Sequence, residues 1–270
     1  AMLPRHRPAT ADRPGIDVLG AALVTASSAS LIYALITAGE DGWLAAITWT
    51  LILAAFVGYT LFATWQRRAR SPLMDVRLLL RRPVATGAFL ILMATALMIA
   101  VFFLGTFYFQ HARAYGALRA GLLFLPVAIA TMVGAQLTGR AIGRIGPRIP
   151  AVAGLLVAAV GMAVPALSLH PATVTIGVTV AAAGTGAMFV IASATALSRV
   201  APHEAGIASG VVSTFHEFGA SLGAAATSSI AAASLTGPTL NGYTHAFTAA
   251  ATASAAAAAI AGLLTPGRTA

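Results

Sequence analysis

Residues 84–109 read VATGAFLILMATALMIAVFFLGTFYF, 26 positions without a charge. As a helix this stretch would be about 39 Å long, enough to cross the ~30 Å hydrocarbon core of a bilayer with some tilt. Arg81, Arg82 and Pro83 precede it, and Gln110, His111 and Arg113 follow it. The same rhythm runs outward in both directions: a long apolar run, then a short connector rich in Arg, Gly or Pro. Eight runs are read, at about 16–38, 44–65, 84–109, 120–137, 151–169, 174–197, 205–233 and 246–264. The expected fold is an all-α integral membrane protein with eight transmembrane helices. The last run is mostly Ala and Thr, so its insertion would lean on neighbouring helices. A short interfacial helix is expected over 73–80.

Composition agrees with this reading. Hydrophobic residues make up 59% of the chain and charged residues 9%, with a mean hydropathy of +0.87. A soluble domain carries about 25% charged residues, and these few could not cover its surface. The net charge of +9 would suggest nucleic acid in a soluble protein. Here the basic residues flank the runs, and nucleic acid is not an expected partner. All 16 basic residues are Arg, and Cys is absent, which excludes disulfides and thiolate metal sites. No His/Asp/Glu cluster has metal-ligand spacing, no Walker-type Lys exists, and no catalytic pair lies at matching depth. Neither a cofactor nor an enzymatic role is expected.

Arginine placement gives a topology. With the N-terminus cytoplasmic and eight alternating spans, one side holds Arg5, Arg7, Arg13, Arg67, Arg68, Arg70, Arg77, Arg81, Arg82, Arg140, Arg144, Arg148, Arg199 and Arg268. The other holds only Arg113 and Arg119. Both termini are then expected in the cytoplasm, in a multi-pass protein of the cell membrane.

Of the acidic residues, only Glu217 falls well inside a run. It lies about 16 Å along its helix, near the midplane of the bilayer core. An ionisable group at that depth costs roughly 3 kcal/mol and marks a candidate functional site. Two roles stay open: a proton carrier or cation-attracting group, and a structural carboxyl bonded across a helix contact. Ser213, Glu217 and Ser221 recur every four residues as a polar stripe, expected to face a cavity or another helix. His216 points about 100° away and could meet a neighbour. Tyr108 and Gln110 end the third run beside Phe102, Phe103, Phe107 and Phe109. This group reads either as an interfacial aromatic belt or as the wall of an outer substrate cavity. Gly206/Gly210 and Gly219/Gly223 are small-xxx-small pairs, which let helices approach closely. Pro126 and Pro165 are expected to kink their helices.

Three segments resemble a known family. Tyr108-Phe109-Gln110, with Gly116 through Pro126, resembles the third-to-fourth-span junction of major facilitator superfamily drug:proton antiporters of the fourteen-helix branch. Gly139-Arg140-Ala141-Ile142-Gly143-Arg144-Ile145-Gly146-Pro147-Arg148 is similar to that superfamily's cytoplasmic GxLaDRxGrR loop. Gly139, Arg144, Gly146 and Arg148 match it, and Gly143 replaces the usual acidic residue. Ala205 through Gly210, with Glu217 through Gly223, resembles the penultimate helix of the branch.

The resemblance implies an organisation: a cytoplasmic segment 1–15, two extra central helices in 16–65, a basic connector 66–83, a six-helix bundle in 84–265, and a tail 266–270. It implies the C-terminal part of a secondary transporter embedded in the lipid bilayer, exporting small amphipathic, often cationic substrates in exchange for protons. The first six helices of the family are absent, and the chain opens on Ala1 rather than Met. A missing N-terminal half or partner chain is expected. A membrane interaction module with no transport cycle is the rival reading.

Overall fold

The computed structural model describes residues 17–69, 72–73, 79, 81–198, 200–236 and 239–265. Helices dominate, and among the described residues no strand occurs. The chain runs α1 (Val18–Glu40), α2 (Ala46–Gln66), α3 (Arg82–Phe107), α4 (Ala117–Leu123), α5 (Leu125–Ile145), α6 (Arg148–Leu167), α7 (Pro171–Leu197), α8 (Ala205–Thr236) and α9 (Asn241–Leu264). A π-helical turn, Tyr108–Ala112, extends α3, and a 3₁₀ turn, Pro202–Glu204, leads into α8. The interfacial helix expected over 73–80 lies mainly outside the described residues, as do 1–15 and 266–270.

Among the described residues, seven segments are long and apolar enough to cross a membrane: α1, α2, α3 with its π turn, α4 with α5, α6, α7 and α9. Helix α8 is not among them, although at 32 residues it is about 48 Å long. Ser209, Ser213, His216, Glu217 and Ser221 punctuate its apolar sequence. It nevertheless lies within the bundle, packed along α3, α1 and α9.

Helix α7 is central and packs against α6, α5 and α3, while α3 also packs against α8 and α9. Lipid tails are as apolar as Leu, so close packing rather than water exclusion holds such helices together. Small residues set these contacts. A Cβ at Gly219 would collide with the Leu92 carbonyl oxygen of α3, and one at Gly223 would lie 2.6 Å from that of Ala96. Leu90, Leu97, Leu155, Met188 and Ile191 then fill the centre of the bundle, with no more than 3% exposure. Helices α1 and α2 form a separate hairpin that joins the rest through α1 against α8. Asp17 closes its open end: it accepts from Gly20 N (2.8 Å), Trp65 Nε1 (2.9 Å) and Gln66 Nε2 (2.8 Å).

Several boundaries differ from the sequence reading. The fourth run is broken at Phe124 into α4 and α5. Pro126 stands in the first turn of α5 and offers no N–H to continue the preceding helix. Helix α5 then runs to Ile145, so Gly139 and Arg144 are helical rather than part of a turn. It stops where Gly146 takes φ +74°, a left-handed conformation that glycine adopts without strain, followed by Pro147. The last helix begins at Asn241 rather than 246, because Ser234 Oγ accepts from Gly242 N (2.8 Å) and secures its first turn. Pro165 sits buried inside α6, two residues before its end.

Candidate functional site

The middle of α8 holds Ser213, His216, Glu217 and Ser221, and its rotation sorts them. Gly219 and Gly223 face α3, so residues about half a turn away face outward. Ser213 and Glu217 are exposed and Ser221 is half-buried. The stripe was expected to face a cavity or another helix; in this chain its first two members face outward. Glu217 has no hydrogen bond or ion pair among the described residues. The outward face continues through Gly206 and Gly210, where an added Cβ would meet nothing within 4 Å. The two small-xxx-small pairs of α8 therefore differ: Gly219/Gly223 seat α3, while among the described residues nothing comes within 4 Å of a Cβ at Gly206 or Gly210.

His216 turns the other way, into the bundle. Its Nδ1 lies 3.1 Å from Thr95 Oγ1 of α3, and its ring lies 5.9 Å from that of Phe189. Thr95 Oγ1 already donates to Ile91 O at 2.9 Å. Its one hydrogen is spent, so it must accept from His216 Nδ1–H. Neither Thr95 nor this pairing could be found by spacing, because 121 residues separate the partners.

The outer-end residues are elsewhere. Tyr108 lies 13 residues beyond Thr95 along the third span, about 20 Å away. It is fully buried, and its hydroxyl donates to Leu169 O (2.6 Å) and accepts from Arg113 Nε (2.9 Å). Arg113 also donates to Leu169 O (2.9 Å) and lies over the Tyr108 ring. Tyr108 thus pins the π turn to the end of α6, and its edge packs against Tyr243 of α9. Gln110, two residues on, is exposed. Phe107 stacks on His111, and Phe102 on Phe124. The structure therefore does not bring Tyr108 and Gln110 together with the α8 residues.

At the other end of the bundle, Arg144 closes α5 and Arg148 opens α6, both exposed. Nothing packs on Gly139 or Gly143. Of the two matched glycines, only Gly146 has a conformational reason to be glycine. Arg81 pairs with Glu204 at 3.0 Å, tying the start of α3 to the turn before α8. The pair is part-exposed, so it contributes little stability, and Glu204 suits the positive end of the α8 dipole. Among the described residues, no three His, Asp or Glu side chains are grouped to hold a metal.

Comparison with known proteins places this geometry. Residues 15–224 match the Major Facilitator Superfamily. Multidrug resistance protein Stp of Mycobacterium tuberculosis is 30% identical over 222 residues, covering 82% of this chain and 41% of that protein. Puromycin resistance protein pur8 of Streptomyces alboniger is 32% identical over 270 residues, covering 92% of this chain and 52% of that protein. A bacterial homologue of the human lysosomal transporter Spinster, in an inward-facing conformation, aligns with a TM-score of 0.46 and 17% identity, over 90% of this chain and 67% of its own. The chain spans about half the length of the curated relatives it matches. A multi-pass membrane protein of a family of transporters rather than enzymes, this chain belongs to the Major Facilitator Superfamily.

Proposed function

We propose that this chain is the C-terminal part of a proton-coupled exporter of amphipathic, often cationic small molecules, and that it works together with a six-helix N-terminal half. The observation that carries the reading is Glu217. It is a carboxyl in the middle of a helix packed among membrane-crossing segments, exposed and without a hydrogen bond or ion pair among the described residues. A carboxyl left against lipid is costly; one facing a cavity shared with a second bundle is placed to exchange protons and attract cations. The length of the relatives supports the missing half, and their drug-resistance names support the substrate class. The separate α1–α2 hairpin supports two extra central helices beside a six-helix bundle, and the arginine distribution supports both termini in the cytoplasm. His216, one residue away and bonded to α3, is placed to couple a change at Glu217 to α3 packing. Ser213 and Ser221 extend the polar face, Gln110 belongs to the outer opening, and Arg144 and Arg148 to the cytoplasmic loop.

The test uses the chain joined to its N-terminal half in inverted vesicles. A pH gradient should drive uptake of a cationic dye or of puromycin. Glu217→Gln should lower that uptake at least tenfold, and Glu217→Asp should retain part of it. Unchanged gradient-driven uptake in Glu217→Gln would remove Glu217 from the mechanism.

A further inference from the structure

A cavity of about 600 Å³ separates the α1–α2 hairpin from the first half of α8. Tyr59 and Phe62 of α2 form one wall, and Gly210, Phe215 and Phe218 of α8 form the other. The polar groups along it are already satisfied. Tyr59 Oη and Ser28 Oγ bond each other at 2.8 Å, and Thr214 Oγ1 donates to Gly210 O at 3.0 Å. No charged side chain lines it among the described residues. Sites for drug-sized molecules orient them with a few convergent polar groups; this cavity offers a guest only apolar surface.

Its length and rim specify that guest. The α8 wall runs from Ile207 to Phe218, about 16 Å along the helix axis. That is half of a ~30 Å hydrocarbon core, the depth of one leaflet. The shallow end of the cavity lies where α2 ends and α3 and α8 begin. Arg67 stands one helical turn beyond Ala63, a cavity residue, and Arg68 follows it. Both are exposed at the end of α2, as is Arg82 at the start of α3, and none has an ion pair among the described residues. Glu204, at the same end, is already matched by Arg81.

We propose that this cavity holds one acyl chain of an anionic phospholipid from the leaflet on the arginine-rich side, with the head group on Arg67 and Arg68. The hairpin is then joined to the bundle through a bound lipid as well as through the α1–α8 contact. Basic clusters between membrane helices favour anionic head groups by about 1 kcal/mol per arginine. The inference does not depend on the transport reading above.

Native mass spectrometry of the purified full chain tests it, with phosphatidylglycerol and phosphatidylcholine of identical chains as probes. Phosphatidylglycerol should be retained at least fivefold more than phosphatidylcholine. Arg67→Gln/Arg68→Gln should weaken its retention by about 30-fold, two arginines' worth. Gly210→Phe, which points a ring into the cavity from a helical position with open space around its Cβ, should abolish the preference. Gly206→Phe places the same ring one turn away, outside the cavity and equally free of neighbours, and should leave it intact. Equal retention of the two lipids, undiminished phosphatidylglycerol in Gly210→Phe, or an equal loss in Gly206→Phe would each overturn the assignment.

Discussion

Helix α8 carries two glycine pairs of identical spacing, and alanine should act on them with opposite signs. Each Gly→Ala change in a helix interior is intrinsically favourable by about 1 kcal/mol. At Gly206 and Gly210 an added Cβ meets nothing within 4 Å; Gly210 feels the full gain, and Gly206, the second residue of α8, only part of it. At Gly223 the Cβ would stand 2.6 Å from Ala96 O, and at Gly219 it would collide with Leu92 O. Both obstacles are backbone and cannot rotate away. Comfortable contact needs roughly 3.5 Å, so α3 and α8 must separate by about 0.9 Å at Gly223 and further at Gly219. Overpacking of this kind costs about 1–3 kcal/mol. The net effect is a loss of about 1 kcal/mol at Gly223, more at Gly219, and a gain of about 1 kcal/mol at Gly210, smaller at Gly206. The two sites of a matched comparison differ by about 2 kcal/mol, roughly 4–8 °C in midpoint. Thermal unfolding of the four single variants in one detergent measures it. Equal midpoints for Gly219→Ala and Gly206→Ala would refute the rotation of α8 on which Glu217's exposure and the cavity wall both rest.

Other outcomes follow from single contacts. Tyr108→Phe removes a buried hydroxyl that bonds Leu169 O and Arg113 Nε; it should cost about 1–3 kcal/mol, while Tyr115→Phe, with no hydroxyl bond in this group, should cost less in the same melt. At Asp17, just outside α1, the Gly20 N–H and then the Trp65 indole N–H hold the carboxyl below its ordinary 3.8; desolvation opposes them and the Gln66 amide adds to them. A depressed value means the ionised clasp stabilises the hairpin above about pH 4 and that this contribution fades as pH falls through the lowered value. Fluorescence of Trp65, with Trp43 and Trp49 replaced by Phe, should therefore hold steady from pH 7 to 5 and change only in stronger acid, and Asp17→Asn should remove the transition; a change centred near pH 6 would contradict the clasp.

Much of the architecture was legible in the sequence. The cost of placing a residue in hydrocarbon is set residue by residue, so the runs from 84–109 and 174–197 announce their helices without tertiary information. Their ends were harder, because a helix stops at a local conformation. Gly146 ends α5 only because it takes a left-handed φ, whereas Gly139 and Gly143, the same residue type a turn or two earlier, are carried through. Of the candidate site, Glu217 stood out by its depth. Tyr108 ends the third span, as the sequence placed it, but its burial and its bonds to Leu169 O and Arg113 Nε depend on distant residues, and Thr95 gave no signal at all.

The sequence by itself determined that the chain is a set of membrane-length helices, where arginines fall between them, and which carboxyl lies inside a mostly apolar run. These properties are sums over single residues or over short segments. Only the tertiary structure decided which way each helix turns. It set Gly219/Gly223 against α3 and left Gly206/Gly210 bare, turned His216 inward and Glu217 outward, and opened a cavity beneath the α1–α2 hairpin. In a bundle of apolar helices hydropathy is nearly the same on every face, so rotation is fixed by where backbones approach most closely, and that depends on residues far apart in the chain.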